Sequence, residues 1–118
     1  MNSDELKLRT KQFALRIINL VDVLPKTLSG RTLGAQLIRS GTSVAANYRA
    51  ACRARSKNEF ISKLGIVVEE ADESVFWLEM IIETKLVKQV LVESLLKEAN
   101  EITAIMVASS NSSRKNNR

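Results

Sequence analysis

Glu70 and Glu73, one helical turn apart, are the residues of this chain best spaced for acid–base chemistry. A paired acid and base needs two carboxylates held close together, and this spacing puts both on one helical face. Glu69 and Asp72 extend the run, but contiguous acids on a helix point in several directions and would hold a divalent ion only loosely. Nothing else that catalysis requires accompanies them. The 118 residues contain no histidine, which removes the commonest metal ligand, the Ser-His-Asp and Cys-His triads and the Glu-x-x-His di-iron pattern. No Gly-rich phosphate loop, nucleophile motif or metal-ligand spacing occurs. Cys52, the single cysteine, cannot form an internal disulfide and reads as a small core residue. No catalytic residue, metal ligand or cofactor is therefore expected.

A structural role suits the two glutamates better. Gln36, Arg39, Ser43 and Asn47 lie close to one helical line, as do Ile66, Glu70, Glu73 and Trp77. Arg39 and the glutamates are flanked by apolar residues, so Arg39 is expected to bridge to Glu70 or Glu73 across a helix interface, its planar guanidinium meeting one or two carboxylates. Asn47 is placed to cap or bridge the same network. Such a pair fixes register more than it adds stability, because desolvation cancels much of the Coulomb gain. Farther along, Arg49, Arg53 and Lys57 fall on one helical line with Arg55 near its end, a stripe suited to phosphate contacts or simply a solvated basic face. Tyr48 and Trp77 could stack on bases, but both sit within apolar periodicity, which favours core or subunit contact.

The elements that must carry these residues read as four helices. The first is expected over residues 4–24, capped by Asn2 or Ser3, with Leu6, Phe13, Ile17, Leu20 and Leu24 as its apolar stripe. Pro25 ends it, and residues 25–30 form a short turn-rich link. The second covers residues 31–54, with Leu33, Leu37, Val44, Tyr48 and Ala51 or Cys52 inward. A mid-helix glycine costs about 1 kcal/mol, and Gly34 and Gly41 with Ala35, Ala45 and Ala46 imply that another backbone approaches closely. The hydroxyls of Ser40, Thr42 and Ser43 can bond back to carbonyls a turn earlier; a loop over residues 40–43 is the competing reading. The third begins with the capping box Ser56-Lys57-Asn58-Glu59 and runs to residue 85, carrying Phe60, Leu64, Val67, Ala71, Val75, Leu78 and Ile82. The fourth covers residues 90–108, with Leu91, Leu95, Ala99, Ile102 and Met106. The expected domain is an all-α, antiparallel up-down-up-down four-helix bundle over residues 1–108. Residues 109–118 are polar and aperiodic, and are expected to fray or be disordered.

Composition is that of an ordinary globular chain, 45% hydrophobic and 26% charged, at the length of one domain. No apolar run reaches the roughly 18 residues a membrane span needs. Residues 1–10 are too polar for a signal peptide, so a cytoplasmic protein without membrane association is expected. Charge is segregated. Residues 23–58 hold seven bases and no acid, and residues 59–101 hold ten acids and four bases. Such a split serves attraction within the fold, between subunits, or to an outside polyanion.

The run Gln36-Leu37-Ile38-Arg39-Ser40-Gly41-Thr42-Ser43-Val44-Ala45-Ala46-Asn47 resembles the signature of the small bacterial four-helix bundle proteins encoded within intervening sequences of large-subunit ribosomal RNA genes. The likeness continues at Phe60-Ile61-x-Lys63-Leu64 and at Glu70-Ala71-Asp72-Glu73-Ser74-x-x-Trp77-Leu78. Many relatives carry a glutamate two or three positions after the asparagine; here Arg49 and Ala50 stand there, and the surface is more basic. The resemblance implies a homo-oligomer, typically a ring of five, and kinship with the accessory protein of diversity-generating retroelements, which works beside a reverse transcriptase and binds nucleic acid. RNA or DNA, further copies of the chain and a reverse transcriptase-like protein are thus its implied partners. In a ring, the small-residue face of the second helix and the acidic third helix are natural surfaces to meet. Residues and resemblance together lead to a non-enzymatic oligomeric bundle that binds nucleic acid weakly by charge or scaffolds a nucleic-acid enzyme. The alternative is an interaction module without nucleic-acid affinity.

Overall fold

A computed structural model of the chain describes residues 1–116. Helix α1 spans Ser3–Asp22, α2 Leu28–Cys52, α3 Lys57–Glu83 and α4 Glu93–Asn116, with a 3-10 turn at Gln89–Leu91 before α4. The helices enclose one core in a rod of 48 × 20 × 20 Å. Consecutive helices pack on each other, and α1 also meets α4, so the four close into a ring around the core. Short links at residues 23–27, 53–56 and 84–92 make the neighbours antiparallel. The architecture is the expected all-α bundle. No described helix is long and apolar enough to cross a membrane.

Caps set the helix boundaries. Asn2 accepts the Glu5 N–H through Oδ1 at 2.8 Å and starts α1. Thr27 accepts the Gly30 N–H at 3.1 Å, so α2 begins three residues earlier than the turn-rich composition implies. At the head of α3, Ser56 Oγ accepts the Glu59 N–H at 3.0 Å. Glu59 returns its carboxylate to the Arg55 N–H instead of that of Ser56, which leaves the expected capping box half formed. Pro25 and tightened bonds from the Val23 and Leu24 N–H groups to carbonyls three residues back end α1 at Asp22. Helix α3 ends at Glu83, two residues short of expectation. Lys85 adopts a left-handed φ of 56°, and the Lys85 and Leu86 N–H groups return to the carbonyls of Ile82 and Ile81, the Schellman arrangement that closes a helix.

The expected stripes form the core, with three corrections. Leu91 lies in the 3-10 turn and is exposed, whereas its neighbour Val92 is buried, because the tighter turn rotates the apolar face by one residue. On α3 the inward line runs Leu64, Val67, Ala71, Ser74, Leu78 and Ile81; Val75 and Ile82 lie at its flank. Helix α4 continues past Ala108 to Asn116. Ser110 extends the Ile102–Met106 line and is buried, and the Arg114 guanidinium donates to its Oγ. The remaining expected tail positions, 117 and 118, lie outside the described residues.

Helix α2 runs unbroken through residues 40–43. Ser40 donates to the Leu37 carbonyl at 3.2 Å and Thr42 to that of Ile38 at 2.7 Å. The group that approaches Gly41 is a side chain, not a backbone. A Cβ at Gly41 would lie 2.9, 3.0 and 3.2 Å from atoms of Ile17 on α1, and one at Gly34 would meet Val21 and Leu24. Ile17 is fully buried and β-branched, so it cannot swing aside. Gly41→Ala is expected to lower stability by about 1–2 kcal/mol in spite of alanine's helix propensity, because strain exceeds propensity. Gly65 on α3 has nothing within 4 Å of its Cβ direction, so Gly65→Ala is expected to raise stability by about 0.5–1 kcal/mol. Urea unfolding of both variants checks the opposed signs.

Candidate functional site

Arg39 projects from the middle of α2 and forks onto α3. Its Nη1 donates to Glu70 Oε2 at 3.0 Å and its Nη2 to Glu73 Oε1. Glu73 Oε1 also accepts the Trp77 indole N–H at 3.1 Å. The cluster sits at the rim: the Arg39 side chain is 51% exposed, against 14% for Glu70. Arg39, then the Trp77 indole, holds the Glu73 carboxyl below its usual range, and the carboxylates raise the Arg39 guanidinium. A carboxylate stabilised in its charged form is a weak general base. Asn47 is not part of this network. Its amide turns back one helical turn to the Ser43 carbonyl at 2.9 Å and Ser43 Oγ at 2.8 Å, because a short side chain on α2 bonds locally more readily than it reaches α3. Behind the clasp, Ser40 Oγ and Ser74 Oγ meet at 2.9 Å in the buried interface, and Ser74 donates to the Glu70 carbonyl.

A second clasp of the same design joins α1 to α4 and was not anticipated. Arg9 Nε and Nη2 donate to the two oxygens of Glu98 at 2.8 and 2.6 Å, and Nη2 also reaches Glu101 at 3.0 Å. Glu98 and Glu101 repeat the i, i+3 spacing of Glu70 and Glu73, which is the signal in the sequence; that Arg9 is their partner depends on ring closure. The hydrogen bond from Arg9 holds the Glu98 carboxyl low against the opposing effect of burial.

The expected basic line is divided by the end of α2 at Cys52. Arg49 and Arg53 line a groove between α1 and α2, together with Lys7, Leu8, Lys11, Thr42, Ala45 and Ala46, enclosing about 450 Å³. Lys57 opens α3, and Arg55 lies in the link; neither lines the groove, and both are exposed at that end of the bundle. Lys7 pairs with Asp4 at 3.2 Å; among the described residues Lys11, Arg49 and Arg53 have no ion-pair partner. Of the two aromatics considered for stacking, Tyr48 is buried, and burial followed by nearby Cys52 pushes its phenol up. Trp77 is half-buried and tied to Glu73. The exposed aromatic is Phe76, 50% accessible and edge-on to Trp77. No group of three or more Cys, Asp or Glu among the described residues could hold a metal ion.

The family model of the 23S rRNA-intervening sequence protein matches residues 5–108. A crystal structure described as a protein with unknown function from the S23 ribosomal protein family of Bacteroides thetaiotaomicron VPI-5482 superposes with a TM-score of 0.86 at 34% identity, covering 94% of this chain and 99% of the other. No curated protein matches.

Because the folded pKa of Glu98 is depressed, its contribution is complete above the ordinary glutamate value of 4.5 and is lost as pH falls through the lowered one. Glu98→Gln is expected to lower stability by about 1 kcal/mol near neutral pH, and by less at an acid pH below 4.5 that approaches the lowered folded value. Urea denaturation at the two pH values checks this; an equal loss at both would show that charge does not hold α1 to α4.

Proposed function

The chain belongs to the 23S rRNA-intervening sequence protein family, and from that premise we propose that it is a non-catalytic, self-associating bundle whose basic pole binds nucleic acid by charge. The observation that carries this reading is the gathering of bases at one end of the rod. Arg53 and Arg55 lie in the link from α2 to α3, and Lys57 opens α3. Arg49 and Lys7 sit at the adjoining mouth of the groove. Arg114 and Lys115 arrive at the same end on the last turn of α4, since α4 lies antiparallel to α3. The acids of this pole are engaged: Asp4 pairs with Lys7, Glu5 accepts from Asn2, and Glu59 accepts the Arg55 N–H. A positive end with its acids occupied attracts polyanions, and phosphate neutralisation gains from counterion release.

This recognition is insensitive to base identity, because Lys and Arg contacts to phosphates position a nucleic acid without reading its sequence. The absence of histidine and the engagement of Glu70 and Glu73 by Arg39 support a non-catalytic role. Affinity is expected to fall steeply with salt. Arg55→Glu/Lys57→Glu should weaken binding to a duplex at least tenfold and reduce the slope of log affinity against log salt by about 2. Electrophoretic shift or fluorescence anisotropy across a salt series measures both. Affinity and slope equal to wild type would discard the pole and favour an interaction module without nucleic-acid affinity.

A further inference from the structure

We infer that the groove between α1 and α2 is a binding site for a nucleoside triphosphate moiety, with the base on its apolar end and the phosphates among its cations. The groove encloses about 450 Å³, within the roughly 300–1,000 Å³ that small-molecule sites span. Lys7, Lys11, Arg49 and Arg53 supply four cations, and no acid is among the lining residues. Of the four, only Lys7 has an ion-pair partner among the described residues, the exposed Asp4 at 3.2 Å. Exposed pairs of this kind exchange at little cost.

The seat of Ile17 against Gly41 fixes how the antiparallel α1 and α2 lie alongside each other. Counting outward from that contact, Lys11 is level with residue 47 and Lys7 with residue 51. The four cations therefore fall within about 9 Å along the rod. A triphosphate brings about four negative charges in one short chain at neutral pH. Ala45 and Ala46 come next, toward the middle of the rod, and their small side chains leave depth for a flat ring. Leu8, 57% exposed, adds apolar surface from α1. Thr42 lies at the inner end of the groove. Its hydroxyl donates to the Ile38 carbonyl at 2.7 Å and keeps acceptor capacity, which suits an N–H on the edge of a base.

Other anions fit less of this surface. Both walls are helices whose backbone groups bond internally, so an extended acidic peptide finds no main-chain partners there. A duplex keeps its bases stacked inside and offers phosphates, which leaves Leu8 and the alanines uncovered. A nucleotide covers both parts. With no acid in the lining, nothing holds a divalent ion, so the metal-free triphosphate is favoured over its magnesium complex. The inference goes beyond the reading of the basic pole. It depends on Lys11, Ala46 and the depth of the groove, whereas the pole is tested at Arg55 and Lys57, so the two fail in separate experiments.

Isothermal titration calorimetry of the full chain with ATP, without magnesium, tests it. A Kd on the order of 100 µM is expected, at least fivefold tighter than that of inorganic triphosphate because the ring adds its own contact. Excess magnesium should weaken ATP binding at least threefold. Lys11→Glu should weaken both probes at least fivefold. Ala46→Phe fills the seat of the ring and should bring ATP down to the level of inorganic triphosphate, whose own affinity stays unchanged. Both residues are exposed, so helical circular dichroism should not change. The same moiety occurs free and at the 5′ end of an RNA. A short single-stranded RNA bearing a 5′-triphosphate, compared with the same RNA bearing a 5′-hydroxyl, separates these sources: binding of ATP assigns the free nucleotide, and a fivefold gain confined to the triphosphorylated RNA and lost in Ala46→Phe assigns the RNA end. Absence of both would overturn the inference. So would equal affinity for ATP and inorganic triphosphate, or an Ala46→Phe variant that binds like wild type.

Discussion

One arginine forked across two glutamates a turn apart fixes the register of this bundle, and the device occurs twice. Packed helices can slide along one another with little change in buried area when their faces are lined with similar aliphatic side chains. A guanidinium with two carboxylate targets on the neighbouring helix permits one axial position. Arg39 sets α2 against α3 in this way, and Arg9 sets α1 against α4. The second clasp occupies the seam that most needs it. The other three helix pairs are joined by short links, whereas α1 and α4 are the ends of the fold and meet without a connecting segment. Loop closure favours the linked pairs, so the unlinked seam depends on side chains alone. Arg9 is correspondingly the less exposed of the two arginines, at 24% against 51% for Arg39.

Helix periodicity carries the fold in the sequence, because burial of one face per helix is a local pattern. Phe13, Ile17, Leu37, Val44, Leu64, Leu78, Ile102 and Met106 are all fully buried. What periodicity cannot carry is a change of helix type or a contact between distant segments. The 3-10 turn at Gln89–Leu91 shifts the inward position from Leu91 to Val92. Ser74 takes a core position since Ser40 meets it from α2, and a serine scored alone reads as polar surface. The extension of α4 to Asn116 depends on Ser110 being covered by the bundle. The same reason hid the groove. Arg49 and Arg53 were legible as bases, but Lys7, Leu8 and Lys11 join them only when α1 lies beside α2. Arg39 with its glutamates was legible because both partners carry helical spacing in adjacent segments, while Asn47 satisfies itself on its own helix.

The small residues of α2 divide into two groups. Gly34 and Gly41 face α1 and accept Val21, Leu24 and Ile17, which draws the two helices together within the core. Ala45 and Ala46, one turn farther along, border the surface groove. The substitution pattern that permits tight packing thus continues outward as a depression between the same helices. Depth in the groove follows from missing side-chain volume on α2, and the cations on both sides follow from the basic character of residues 23–58 and of α1.

Folding could have cancelled the charge split along this chain. The acid-free segment and the acidic segment become neighbours as α2 and α3, so their charges had every opportunity to pair. Among the described residues only Arg39 of α2 makes an ion pair with acids of α3. Arg49 on α2, Arg53 just after it, and Glu69, Asp72, Glu79 and Glu83 on α3 point outward without ion-pair partners. Neutralising pairs at exposed helix surfaces add little stability, so the monomer gains little by making them, and leaving like charges together costs a modest self-repulsion. The result is a bundle whose stability resides in its apolar core, whose register is set by two clasps, and whose remaining charge is sorted onto separate faces. Such sorting has no role in holding four helices together; it has one as soon as a second charged body approaches.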